Sequence, residues 1–259
     1  MSSHDLEDVG RAAAPFTIVI PTLQRSPLLP ELVAQLVGSP LVHEVLIVNN
    51  SSRPADFTHP KCRVINLPEN IYVNPAWNLG AREARTALLG LVNDDVLLNP
   101  RILGPISRRL ARGTGIVGPA SAAVRDIHAP RRRFPEIPVF IPVYERPYAF
   151  GTAMFLRRSD YVQIPDDLKV WRGDDYLFRR QTKRNRAMYG IDVRTHMSTT
   201  SDDPAFDAIK EADMNAFQEF HAEDAYRLRF WKEFRVARDL RSTWQRAGRM
   251  LGRSGAHHG

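Results

Sequence analysis

Three apolar runs, each ending in a polar cluster, limit what the first hundred residues can become. "FTIVIP" (Phe16 to Pro21) is β-branched, apolar on both faces and followed by "TLQR". "HEVLIV" leads into "NNSS", and "ALLGLV" leads into "NDDV". A strand that is apolar on both faces must be covered on both, which is the pattern of a buried parallel sheet. The intervening segments read as helices. "SPLLPELVAQLVGS" places Leu29, Leu32, Val33 and Leu36 at helical spacing behind a Ser-Pro start, and "NPAWNLGAREART" follows a short strand, "CRVINLP". This alternation predicts an α/β fold, a single Rossmann-like domain with a mostly parallel central sheet. Ligands of such sheets bind at the carboxyl ends of the strands, where the strand order switches, and the polar clusters fall there.

The second half is less regular. "GIVGP" (Gly115 to Pro119) reads as a strand, and Arg125 to Tyr148, rich in proline and arginine, as a long mobile excursion. "AFGTAMFLRR" is a further strand, "WRGDDYLF" opens a helix, and "YGIDVRTHMSTTS" is the last strand, with His196 near its end. From Asp203 the pattern is helical. Tyr226, Phe230, Phe234, Ala237, Leu240, Trp244, Ala247 and Leu251 form one apolar stripe, and nine Arg or Lys face four Asp or Glu between Glu223 and Arg253. The expected division is a disordered lead-in over 1–14, an α/β domain over 15–202 and a basic amphipathic helical extension over 203–259.

Composition narrows the partners. The net charge of +7 favours something anionic: a nucleotide sugar, nucleic acid or a membrane surface. The single cysteine, Cys62, rules out an intramolecular disulfide and a cysteine-based metal cluster, and suits a reducing cytosol. No stretch has the roughly 20 apolar residues of a membrane span. The start is polar and acidic where a signal peptide would be basic and then apolar, so a cytoplasmic protein is expected.

The cluster Asn93, Asp94, Asp95 resists placement in a strand interior, because ionised carboxylates repel and resist desolvation unless paired. A surface turn, a helix cap and a cation site all remain open from these residues alone. A hard cation such as Mg²⁺ or Mn²⁺ takes one or two carboxylates and completes its shell with substrate phosphates and water.

The order of the motifs is more specific than any one of them. "IVIPTLQR", "VLIVNNSS", "ENIYVNPAWNLGAREA", "LVNDDV", "FGTAMFLRRSDY" and "WRGDDYLF" together resemble family 2 glycosyltransferases of the GT-A type, over about Phe16 to Ser201. The resemblance implies a donor half over about 15–120, an acceptor half over about 121–202, a nucleotide-sugar donor and Mn²⁺ or Mg²⁺ as cofactor. It implies that Pro21, Thr22, Arg25, Asn49, Asn50, Asn78, Gly80, Asn93 and Asp94 lie along the donor. Asp95 would hold the metal, with His196 as an additional ligand. Asn49 and Asn93 stand where many relatives carry aspartate, and the arginine that often precedes Asn78 is absent. On the acceptor side, the resemblance places Trp171, Gly173 and Asp174 against the acceptor and makes Asp175 the base of an inverting reaction, with Asp174 beside it. Read without the family, the pair Asp174/Asp175 is better taken as a helix cap.

The acceptor is left open between a modified DNA base, a cell-envelope glycan and a protein side chain. The arginines of "APRRRFP" read either as a grip on an anionic acceptor or as a solvated loop, and "STTS" as phosphate contacts or a helix start. The C-terminal helices read as a cap on the domain, or as a peripheral membrane contact. The alternative is a non-catalytic nucleotide-binding or assembly protein that retains the fold.

Overall fold

β1 (Phe16–Thr22) has no exposed side chain, and its surroundings explain why. It pairs in parallel with β2 (Val42–Asn49) on one side and β4 (Leu88–Val92) on the other, and β2 pairs in parallel with β3 (Cys62–Asn66). Both faces are covered. Phe16, Ile18 and Ile20 pack with Leu29, Leu32 and Leu36 of α1 (Leu29–Val37) and with Ile106 and Leu110 of α3 (Leu103–Ala111). Val19 packs in the opposite layer with Ala76, Trp77 and Ala81 of α2 (Val73–Glu83). This computed structural model describes residues 13–130, 135–196, 206–219 and 225–238.

The main sheet has eight strands in the order β3-β2-β1-β4-β9-β6-β10-β8, completed by β6 (Val117–Pro119), β8 (Val139–Val143), β9 (Ala153–Arg157) and β10 (Asn185–Tyr189). Six strands run one way; β9 and β8 are reversed, because β9 is antiparallel to β4 and β6, and β8 to β10. The strand order turns back between β1 and β4, which opens a crevice at their carboxyl ends. A second sheet, β5-β11-β7, is built from β5 (Val96–Leu97), β7 (Val124–Asp126) and β11 (Val193–Thr195). Asn93, Asp94 and Asp95 are the junction between β4 of one sheet and β5 of the other, so the acidic turn is tied at both ends.

Gly80 shows how closely α2 rests on the sheet. A Cβ there would lie 2.2 Å from Val19 Cγ1. Gly80→Ala is therefore expected to destabilise the fold by about 1–3 kcal/mol through overpacking. Urea unfolding checks this: the double variant with Val19→Ala should cost less than the two single changes summed.

Two expectations need correction. Arg125 to Tyr148 is not simply a mobile excursion, since β7 begins it and β8 lies within it. Strand β8 escaped notice because Pro138 and Pro142 flank and interrupt it. Proline is tolerated there because β8 is an edge strand, with Val139 51% and Ile141 44% exposed. The expected last strand is divided between two sheets. β10 ends at Tyr189, Gly190 turns with φ 71°, and β11 continues in the smaller sheet.

The C-terminal helices pack on the domain as the cap reading expects. In α5 (Asp207–Glu219) and α6 (Ala225–Arg229), Phe217 and Tyr226 belong to the same core as Val19 and Leu91, as does Phe230. The Tyr226 hydroxyl donates to the Val143 carbonyl at 2.7 Å and accepts from the Asn185 N–H at 2.9 Å, joining the end of β8 to the start of β10. Burial pushes its pKa above the ordinary tyrosine value. This part of the apolar stripe faces the protein core and is closed to a membrane; Leu240, Trp244, Ala247 and Leu251 lie outside the described residues. So do the arginines of "APRRRFP", "STTS" and the lead-in up to residue 12. Among the described residues, no helix is long and apolar enough to cross a membrane.

Candidate active site

The crevice at the ends of β1 and β4 is a cleft of about 490 Å³. Of the residues expected at a site, Pro21, Thr22, Arg25, Asn50, Asn93, Asp94, Asp95, Trp171, Asp174 and Asp175 line it. Asn49, Asn78, Gly80, Gly173 and His196 do not.

On the β1–β4 side, Thr22 Oγ1 donates to Asp94 Oδ2 at 2.5 Å and accepts from the Gln24 N–H at 2.8 Å. Burial pushes the Asp94 carboxyl up to about 6; the Thr22 hydroxyl opposes the shift and the Asp95 charge adds to it. Asn50 accepts from the Ile71 N–H at 3.0 Å, which fixes the approach to α2.

Asn49 has a different task. Its Nδ2 donates to the Arg53 carbonyl and to Asn66 Oδ1, each at 2.7 Å, and its Oδ1 accepts from Gln24 Nε2 and the Ser51 N–H. The whole amide is engaged by protein, and the side chain is fully buried. It shapes the loop behind the cleft wall. Asn78 likewise faces the protein: its Nδ2 donates to the Ile164 carbonyl at 2.8 Å, and its Oδ1 accepts from the Ile164 N–H and the Tyr161 hydroxyl.

Asn74, one helical turn before Asn78, performs a related function that the sequence reading missed. Its Nδ2 donates to the carbonyls of Leu168 and Trp171, at 3.1 and 3.3 Å. A Cβ on Gly173 would lie 2.0 Å from Asn74 Oδ1, so glycine is required there for close approach. The same loop is gripped from α5. Asp213, with no exposed surface, accepts the N–H groups of Lys169 at 2.8 Å and of Val170 and Trp171 at 2.7 Å each. Trp171 then packs edge-on to Phe206, with ring centroids 6.4 Å apart. A signal for Asp213 was available: it shares one helical face with Ile209 and Phe217, where an acid is out of place.

Asp174 and Asp175 open α4 (Gly173–Arg179) across the cleft. Two arginines meet them. Arg146 Nη1 lies 3.0 Å from Asp174 Oδ2, and Arg146 Nε lies 2.8 Å from Asp175 Oδ1. Arg172, in a left-handed conformation with φ 66°, reaches Asp175 Oδ2 at 3.0 Å. Burial works to raise the Asp175 pKa, but the hydrogen bonds and charges of Arg146 and Arg172 outweigh it and hold the carboxyl below its ordinary value. Asp174 goes the other way. Burial and the Asp175 charge raise it, and Arg146 offsets this only in part. The surroundings thus push the two carboxyls in opposite directions, Asp174 up and Asp175 down. Arg146 was hidden in "VYERPY", inside the segment read as an excursion.

His196 follows β11, whose last residue Thr195 lines the cleft, but the His196 ring packs on His128 with centroids 5.6 Å apart. Among the described residues, no three His, Cys, Asp or Glu side chains gather to hold a metal ion. His196 thus does not complete a protein-only metal site with Asp94 and Asp95. The neighbouring carboxylates of Asp94 and Asp95 do fit a hard cation whose remaining ligands come from a bound diphosphate and water.

A mostly parallel sheet with a reversed β9 and a cleft at the carboxyl ends of its parallel strands is the arrangement this chain shares with its structural relatives. The sequence matches the profile of glycosyl transferase family 2 over residues 17–166, more than half of the chain, and the chain belongs to that family. It is similar in structure to TarS of S. aureus, residues 1–349, at 13% identity and a TM-score of 0.52, covering 70% of this chain and 60% of that one. The same TarS fragment in complex with UDP gives 14% identity and a TM-score of 0.53, with the same coverage. Against the longer S. aureus TarS chain the coverage is 71% of this chain and 37% of that one, at 12% identity and a TM-score of 0.52. The chain therefore spans less than two thirds of these TarS chains. No curated protein matches the sequence.

Proposed function

We propose that the protein transfers a sugar from a nucleoside-diphosphate sugar to an acceptor hydroxyl, with inversion at the anomeric carbon. One observation carries this reading: the Asn93–Asp95 turn and the Asp174/Asp175 pair face a single cleft. Pro21, Thr22, Arg25, Asn50, Asn93 and Asp94 contact the donor, and Asp95 holds Mn²⁺ or Mg²⁺. When bound, such an ion neutralises charge on a departing diphosphate.

The acceptor lies against Trp171. Its hydroxyl proton passes to an Asp174 oxygen as the acceptor oxygen bonds to the anomeric carbon. The bond from that carbon to the diphosphate oxygen breaks, and the nucleoside diphosphate leaves with the electron pair. Asp175 stays ionised between Arg146 and Arg172 and orients the pair. This moves the role of base from Asp175, where the family resemblance put it, to the carboxylate that retains basicity.

Calorimetric titration of UDP, GDP and their sugar conjugates, with and without Mn²⁺, tests the donor side. Metal-dependent binding of one nucleotide is expected, with at least a tenfold loss in Asp95→Ala, about 1.4 kcal/mol. Folded wild-type protein that binds none of them would return the chain to the non-catalytic reading.

A further inference from the structure

Tyr72, the residue before α2, holds a backbone conformation out of the ordinary range. Its φ of 68° and ψ of 177° belong to a region that glycine alone occupies readily. Two asparagines fix it there. Asn50 Oδ1 accepts the Ile71 N–H at 3.0 Å, and Asn70 Oδ1 accepts the Tyr72 N–H at 2.8 Å. Asn50, Asn70 and Tyr72 all line the cleft. Lys169 Nζ lies 5.3 Å from the centroid of the Tyr72 ring and braces it. Glycine would make the same turn unstrained, which points to a use for the ring itself.

The amides on either side of that ring are only half engaged. Each asparagine oxygen is occupied by a backbone N–H, which orients the amide and leaves its NH₂ as the free end. Among the described residues, Asn50 Nδ2 and Asn70 Nδ2 make no hydrogen bond. Nor are these nitrogens sealed in, as the unpartnered Trp77 Nε1 and Asn74 Oδ1 are. This separates them from Asn49 and Asn78, whose amides bond protein at both ends. Two oriented donors beside an aromatic ring suit a flat heterocycle that presents carbonyl oxygens.

Position along the sheet says which part of a ligand that is. Asn50 follows β2, and its N–H bonds the Thr22 carbonyl at the end of β1. The acidic turn follows β4, on the other side of β1. Two strand spacings, about 10 Å, separate the ends of β2 and β4. A nucleotide whose diphosphate meets Asp95 thus crosses β1 and brings its base to Asn50, Asn70 and Tyr72.

We propose that Asn50, Asn70 and Tyr72 read the base of the nucleotide, and that they select uracil. Uracil offers two carbonyl oxygens to the two amide donors while its face lies on the Tyr72 ring. Cytosine replaces one carbonyl with an amino group, which would meet an amide NH₂ donor against donor, and adenine has no carbonyl. The assignment rests on the glycosyl-transfer reading and names its donor as a uridine-diphosphate sugar.

The test is calorimetric titration of UDP, CDP and ADP into the full-length protein with Mn²⁺. UDP is expected to bind at least about tenfold more tightly than CDP or ADP. Asn70→Asp keeps the acceptor for the Tyr72 N–H and turns the free end from donor to acceptor, so the ratio of UDP to CDP affinity should fall about tenfold or more. Asn70 is half-buried and tolerates the charge better than Asn50, which is 6% exposed. Tyr72→Phe keeps the ring and should keep most of the UDP affinity. Tyr72→Ala and Tyr72→Gly should each lose about tenfold, although the glycine variant relieves the backbone and should unfold at a higher temperature than the alanine one. Equal binding of UDP and CDP by wild type, or an unchanged ratio in folded Asn70→Asp, overturns the proposal. So does full UDP affinity in Tyr72→Gly, which would make Tyr72 a part of the turn and nothing more. Failure of the transfer reading looks different: folded wild type then binds no nucleotide at all, and the base assignment falls with it.

Discussion

Asp174→Asn is expected to lower kcat by about two to four orders of magnitude while nucleotide binding persists. Asparagine keeps the shape and the bond from the Asp175 N–H but takes no proton, so only the chemical step should suffer. The pH profile gives a sharper check. A base works deprotonated, so the rate rises with pH through its pKa. Burial and the Asp175 charge raise Asp174, which puts this acid limb above the ordinary carboxylate value of about 4. Asp174→Asn should abolish the limb. Asp175→Asn removes a neighbouring negative charge and frees Arg146, and both changes should move the limb to lower pH without abolishing it. If the limb vanishes in Asp175→Asn and survives in Asp174→Asn, the base is Asp175, and Arg146 must withdraw from it during turnover.

Asp213→Ala should be the most damaging change outside the cleft. It strips the acceptors from three backbone N–H groups at once. A hydrogen bond to a charged acceptor contributes about 1.5–3 kcal/mol, and water can reach the donors of exposed Lys169 and half-buried Val170 and Trp171, so a total loss of about 2–3 kcal/mol is expected, out of a typical stability of about 5–15 kcal/mol. Thermal unfolding measures that loss. Asp213→Asn is the milder partner: its carbonyl oxygen still accepts, while its NH₂ faces N–H donors. In a folded Asp213→Asn protein, hydrogen exchange at Lys169, Val170 and Trp171 should accelerate while the amides of β1 stay protected. Unchanged exchange at those three amides would mean that Asp213 does not hold the loop.

The parts of the fold visible in the sequence are those where burial leaves a local mark. β1, β2 and β4 are covered on both faces, so they read as unbroken apolar runs, and their polar ends located the cleft. Direction leaves no such mark: "AFGTAMFLRR" announces a strand but not that β9 runs against its neighbours. Edge position hid β8, because prolines acceptable at an edge look like loop. At the site, acids next to each other were conspicuous, whereas their partners were not. Arg146 comes from a stretch remote in sequence from α4, and no periodicity links the two. Asn49 and Asn78 were expected along the donor, and in this structure both bond protein; a buried asparagine that bonds protein looks the same in sequence as one that bonds a ligand.

The loop that carries Trp171 depends on Asp213, 42 residues further along the chain. A ribosome releases the N-terminal strands first, and β1, β2, β3 and β4 can pair once the chain has passed Val92. The acidic pair emerges later, and its supporting loop has no anchor from α5 until that helix has been made. On the proposed function, the paired acids gain this support only once α5 has been made. The family match ends at residue 166, before Asp174, Asp175 and Asp213, so a fragment cut to the matched segment would keep the acidic turn after β4 and lose the machinery that faces it.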